Sequence, residues 1–98
     1  MPESVDWSRR GKYMFERHGV SVSIADDVLS DPNRVVIDPD YASTSGRSVR
    51  IIGYSLIAGE VMTLIVLEHD GVTHGVNGWP SNEKDRRIYQ EAMDNGQD

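Results

Sequence analysis

The sequence predicts an α+β domain with the order α-α-β-β-β-β-α: a four-stranded antiparallel sheet with helices mainly on one face. Turn signals and patterning carry this reading. Asp70-Gly71 joins two extended runs and is a strong two-residue hairpin signal, because such a turn needs positive φ at both positions. A second turn, Leu56-Ile57-Ala58-Gly59, joins two more extended runs. Paired through these turns, the strands present one apolar face, which helices should cover. The 98 residues make one domain, 1–98, with a modest core.

The first helix is expected over 7–18, with Gly19 as its stop. Ser21 or Ser23 can cap a short second helix, whose buried side is Ile24, Ala25 and Val28 and which Pro32 ends. Strands follow at 34–38, 47–55, 60–69 and 72–79. The third is apolar on both faces and therefore central. Pro80 has no N–H and should stop the pairing. Ser81 or Asn82 then caps a last helix running to about Met93, and 93–98 should fray.

Without a bulge, the hairpins pair Val66 with Gly75, Leu64 with Asn77 and Met62 with Trp79. On the other side they pair Gly53 with Met62, Ile51 with Leu64 and Arg47 with Glu68. This register sends Trp79 to the apolar face with Val49, Ile51, Met62, Leu64 and Val66. The opposite face is mixed and carries Arg50 and His74 on adjacent rows.

Composition narrows the function. The net charge of −6 argues against broad nucleic-acid binding through clustered Lys and Arg. The basic residues nevertheless gather in three places: Arg9, Arg10, Lys12 and Arg17; Arg47 and Arg50; Lys84, Arg86 and Arg87. With no cysteine there is neither disulfide nor thiolate chemistry. The start, Met1-Pro2-Glu3-Ser4-Val5-Asp6, does not resemble a signal peptide, and the longest apolar run is too short to span a bilayer. A soluble cytoplasmic protein is expected. No metal motif, dinucleotide fingerprint, P-loop or nucleophile elbow occurs, so no metal or cofactor is expected.

Several polar residues have competing readings. His18, before Gly19, suits the negative end of a helix dipole. His69 flanks a turn. His74, within a strand, either satisfies a carbonyl or exchanges protons near neutrality. Arg47 can pair with Glu68 across the strands. Arg50 has Ile65 opposite it and no evident acid, which makes it an anion-binding candidate. Trp79 is either core or a stacking platform. Asn82, Arg86 and Tyr89 lie at i, i+4 and i+7 on one helix face. Tyr89 also fits the apolar stripe of Ile88, Ala92 and Met93, and Arg87 can pair with Glu83.

From about Trp7 to Glu91 the chain resembles the BrnT-like toxins of the RelE superfamily of small ribonucleases. The resemblance rests on Glu16-Arg17-His18-Gly19-Val20, Leu29-Ser30-Asp31-Pro32, Ile52-Gly53 with the hairpin after it, and Asp85-Arg86-Arg87-Ile88-Tyr89. It implies a RelE-like fold and the toxin of a type II toxin–antitoxin pair. Such a toxin cuts RNA without a metal and is neutralised by an antitoxin, and a homo-oligomer in that complex is compatible with the resemblance. The 2′-hydroxyl of RNA attacks the adjacent phosphate, while the protein supplies a base, an acid and cations. Three usual cationic positions are replaced here, by Ser48, His74 and the pair Trp79-Pro80. The alternative is therefore a catalytically silent, toxin-like module that associates with a partner protein.

For the toxin reading the expected catalytic set is Arg50 on the scissile phosphate, His74 as acid or base, Arg86 as a second cation and Tyr89 as proton donor. Arg47, Trp79, Asn82 and Arg10 are the expected RNA contacts. An antitoxin should cover the basic clusters with an acidic or amphipathic segment.

Overall fold

A computed structural model describes residues 5–95. The order is α1 (Gly11–His18), α2 (Val22–Leu29), β1 (Val35–Ile37), β2 (Ser48–Ser55), β3 (Glu60–His69), β4 (Val72–Pro80) and α3 (Glu83–Asn95). The strands form one antiparallel sheet in the order β1-β2-β3-β4. This is the α+β meander that the turn signals predict. Asp70 and Gly71 have φ of 54° and 78°, which is why an Asp-Gly pair closes the β3–β4 hairpin.

The ends of the elements are set by local chemistry. Gly19 leaves α1 in the left-handed conformation and its N–H bonds to the Phe15 carbonyl. Ser21 caps α2 by accepting from the Ile24 N–H. Asn82 caps α3, its Oδ1 accepting from the Asp85 N–H at 2.9 Å. α1 starts later than the composition suggests. Residues 8–10 form turns instead, because Trp7 is drawn into the core and Asp6 bridges to His74 on β4. α3 continues to Asn95, past the expected fraying point at 93; residues 96–98, like 1–4 at the N-terminal end, lie outside the described residues.

α1 and α2 cover the apolar face. Trp7, Met14, Val20, Ala25 and Val28 pack on Ile51, Met62, Leu64 and Val66 in one core. Each Val, Ile, Leu or Met side chain among them contributes about 1.5–3 kcal/mol when fully buried. Two glycines permit the close approach. A Cβ at Gly75 would collide with the Trp7 ring, and one at Gly53 would lie 3.0 Å from the Val28 carbonyl. α3 lies across the opposite face, where Thr63 on β3 and Arg50 on β2 bond to Asp85 in its first turn.

The β2–β3 register is as expected, with Gly53 opposite Met62 and Ile51 opposite Leu64. The β3–β4 register is not. A shift between Ile65 and Val66 pairs Leu64 with Gly78 and Met62 with Pro80. The extra residue is Val76, whose carbonyl accepts from Arg10 Nε at 3.1 Å. One inserted residue exchanges the faces of everything after it. Trp79 therefore sits opposite Thr63, on the face that carries Arg50. Pro80 remains in β4, and pairing continues to Ser81, whose N–H bonds to the Val61 carbonyl.

Candidate functional site

Arg50 is the best-held side chain on the mixed face. It is 5% exposed, and its Nε donates to Asp40 Oδ1 at 2.7 Å. Its Nη1 donates to Asp85 Oδ2 at 2.6 Å and to the Tyr41 hydroxyl at 3.0 Å. The expectation of an unpaired arginine is thus corrected. Its acids come from the loop after β1 and from the first turn of α3, where cross-strand pairing could not reveal them. Asp85 is fully buried and also accepts from Thr63 Oγ1 at 2.8 Å and from the Tyr41 hydroxyl at 2.5 Å. Thr63 Oγ1 in turn lies 2.7 Å from Ser81 Oγ.

Burial alone would lower the Arg50 pKa and raise that of Asp85, and the contacts reverse both tendencies. Asp40 and Asp85 hold the guanidinium pKa above its ordinary value. Hydrogen bonds from Tyr41, Thr63 and Arg50 hold the Asp85 carboxyl below the usual carboxylate range. Burial, and then the bond to Asp85, pushes the Tyr41 phenol up. One cation faces two carboxylates, so the cluster offers a phosphate no net positive charge.

The other expected catalytic residues divide between β4 and the groove beside α3. His74 Nδ1 is buried, has no hydrogen-bond partner and lies 4.0 Å from Asp6 Oδ2, at the junction of the N-terminal segment with β4. The Tyr89 hydroxyl donates to Asp31 Oδ2 at 2.6 Å; burial and that bond raise its pKa far above the ordinary phenol value. It is committed to a carboxylate and unsuited to giving its proton to a leaving group. Arg86 Nη1 donates to the Ser81 carbonyl at 2.6 Å. With Tyr89 it lines a groove between α2 and α3, so these two residues do share a surface, but Arg50 is not among the groove's lining residues. The register keeps His74, opposite Leu67, on the sheet face that carries Arg50, as expected, while Arg86 and Tyr89 line the groove, so the four residues divide between two places.

Among the expected RNA contacts, Asn82 serves as the α3 cap. Arg47 is exposed just before β2 and, among the described residues, makes no ion pair with Glu68. Arg87 does pair with Glu83, at 3.6 Å. Arg10 packs over the Tyr13 ring, 4.1 Å from its centroid. Trp79 proves the most informative. Its ring lies 5.8 Å from that of His18 and 5.7 Å from Arg50 Cζ. Arg50 Cζ and Lys84 Nζ lie 4.2 Å and 4.0 Å from the centroid of Tyr41, which is 43% exposed.

The result is a row, His18–Trp79–Arg50–Tyr41–Lys84, in which the Trp79 and Tyr41 rings stand between an imidazole, a guanidinium and an ammonium group. The Trp79 and Tyr41 rings can stack bases and Lys84 can hold the connecting backbone, while the charge of Arg50 is already met by Asp40 and Asp85. Sequence reasoning missed His18, Tyr41 and Lys84 in this role. In the sequence His18 is accounted for by its helix end, and Tyr41 lies in a loop with no periodic signal. Lys84 becomes relevant only because Asp85 anchors α3 under Tyr41. The chain matches no known protein-family model, and no curated protein shows significant sequence similarity to it.

Proposed function

We propose that this chain is the toxin of a type II toxin–antitoxin pair and cleaves RNA without a metal. The observation that carries this reading is the row from His18 to Lys84, joined to the sequence resemblance that spans most of the chain. Trp79 and Tyr41 take unpaired bases, and Lys84 supplies charge to the backbone. In the reaction the 2′-oxygen bonds to phosphorus as the phosphorus–5′-oxygen bond breaks. A base takes the 2′-hydroxyl proton, and an acid returns a proton to the departing 5′-oxygen. The imidazole of this row is His18, which replaces His74 as the candidate proton carrier.

A specific observation favours the second reading, a silent module that binds a partner protein: Arg50 is already neutralised by Asp40 and Asp85. The two readings separate in one assay. Purified chain is incubated with a single-stranded RNA in a chelator, and the products are resolved. Fragments ending in a 2′,3′-cyclic phosphate, lost in His18→Ala, are expected of the toxin. Intact RNA, together with normal growth of cells that overproduce the chain, would leave the silent module.

A further inference from the structure

A second surface lies away from the aromatic row. The groove between the C-terminal part of α2, the β2–β3 turn and α3 has a volume of about 650 Å³. Its apolar lining includes Leu56, Val61 and Met93. Leu56 is 82% exposed, and Ile57 beside it in the turn is 63% exposed. Two adjacent aliphatic side chains that exposed at the mouth of a groove mark an interaction site.

The charges around it have a definite sign. Asp27 and Asp31 line the groove, and Gln90, also in the lining, holds the Asp94 carboxylate at 3.0 Å. The opposing cation in the lining is Arg86, which bonds to the Ser81 carbonyl. Asp27 is kept ionised by the Ile57 N–H and the Ser55 hydroxyl. For Asp31, burial is outweighed by bonds from the Tyr54 N–H, the Tyr89 hydroxyl and the Asn33 N–H. These bonds anchor the carboxylates in place without cancelling their charge. Such a surface repels RNA phosphates. A small solute enclosed in the groove would leave Ile57 uncovered.

We propose that this groove docks a cationic amphipathic segment of a partner protein, with aliphatic side chains against Leu56, Val61 and Met93 and Lys or Arg side chains toward Asp27, Asp31 and Asp94. Apolar burial supplies the affinity, and the carboxylates select sign and orientation. The proposal stands whether or not the chain cuts RNA, because it uses none of the row from His18 to Lys84.

The test is an NMR titration of the isotope-labelled full chain with a synthetic amphipathic helix bearing lysines on one face and leucines on the other. A matched peptide carrying glutamate for lysine is the control. The lysine peptide should shift the amide signals of Leu56, Ile57, Gln90 and Met93. Leu56→Ser with Met93→Ser should weaken binding roughly tenfold or more, and Asp94→Lys by a smaller factor. Leu56 is so exposed that its replacement leaves the fold intact, which the unchanged remainder of the spectrum verifies. Equal binding of the glutamate peptide, shifts centred on Tyr41 and Trp79, affinity indifferent to the Leu56 and Met93 substitutions, or no binding would each overturn the proposal.

Discussion

Beneath α1 and α2 the sheet meets side chains that need only fit; beneath α3 it meets side chains that need partners. On the first side Trp7 and Met14 rest against β4, and Val28 fills the space left by Gly53. On the second, Arg50, Asp40, Tyr41, Thr63, Ser81 and Asp85 form one connected, largely buried network. The two faces should therefore fail differently. Loss of an apolar contact leaves a cavity. Loss of one member of the network leaves a charge without its counter-charge, away from water.

The largest effect should come from Arg50→Ala. Removing one partner of a buried ion pair costs about 3–5 kcal/mol, mostly through the stranded Asp85. Met14→Ala on the other face should cost about 2–5 kcal/mol, in proportion to the cavity left behind. Urea unfolding of both variants checks this. An Arg50→Ala chain as stable as the parent would show that the network does not hold α3.

Acid should distinguish the faces next. The Asp85 and Asp31 carboxyls both lie below the ordinary carboxylate pKa in the folded protein. Their contribution is complete above the unfolded value of about 4 and is lost as pH falls through the lower folded value. α3 depends on both, through the Arg50 network and through Tyr89. Hydrogen exchange followed below about pH 4 should therefore show α3 amides opening before those of the β3 centre. Simultaneous opening would contradict a separate electrostatic hold on α3.

What was legible in the sequence follows the same division. The apolar face could be read from alternation, and the hairpins from Asp70-Gly71 and Gly59, because those signals are local. The Val76 bulge could not, since nothing in Val72 to Trp79 marks an extra residue, and missing it put Trp79 on the wrong face. The partners of Arg50 stand ten and 35 positions along the chain, beyond the reach of strand pairing or helix spacing. Polar partners recruited from loops and helix ends are settled only by the tertiary fold.

A smaller effect belongs to the corner that leads into α3. Asn82→Ala removes the acceptor for the Asp85 N–H and should cost about 1 kcal/mol, read from the shift in the urea midpoint. A cost of several kcal/mol would mean that Asn82 also orients Asp85 within the network.

The two tryptophans separate the proposed RNA surface, the row from His18 to Lys84, from the pair Arg50 and His74. Trp7 is buried under the apolar face, while Trp79 lies between His18 and Arg50 on the row. Their indole N–H signals can be followed separately by NMR while a single-stranded RNA with 2′-O-methyl sugars, which cannot be cut by attack of a 2′-oxygen, is added to the chain. The Trp79 signal should move in a saturable way while the Trp7 signal stays in place. A stationary Trp79 signal at saturating RNA, with amide shifts centred on His74, would contradict this assignment.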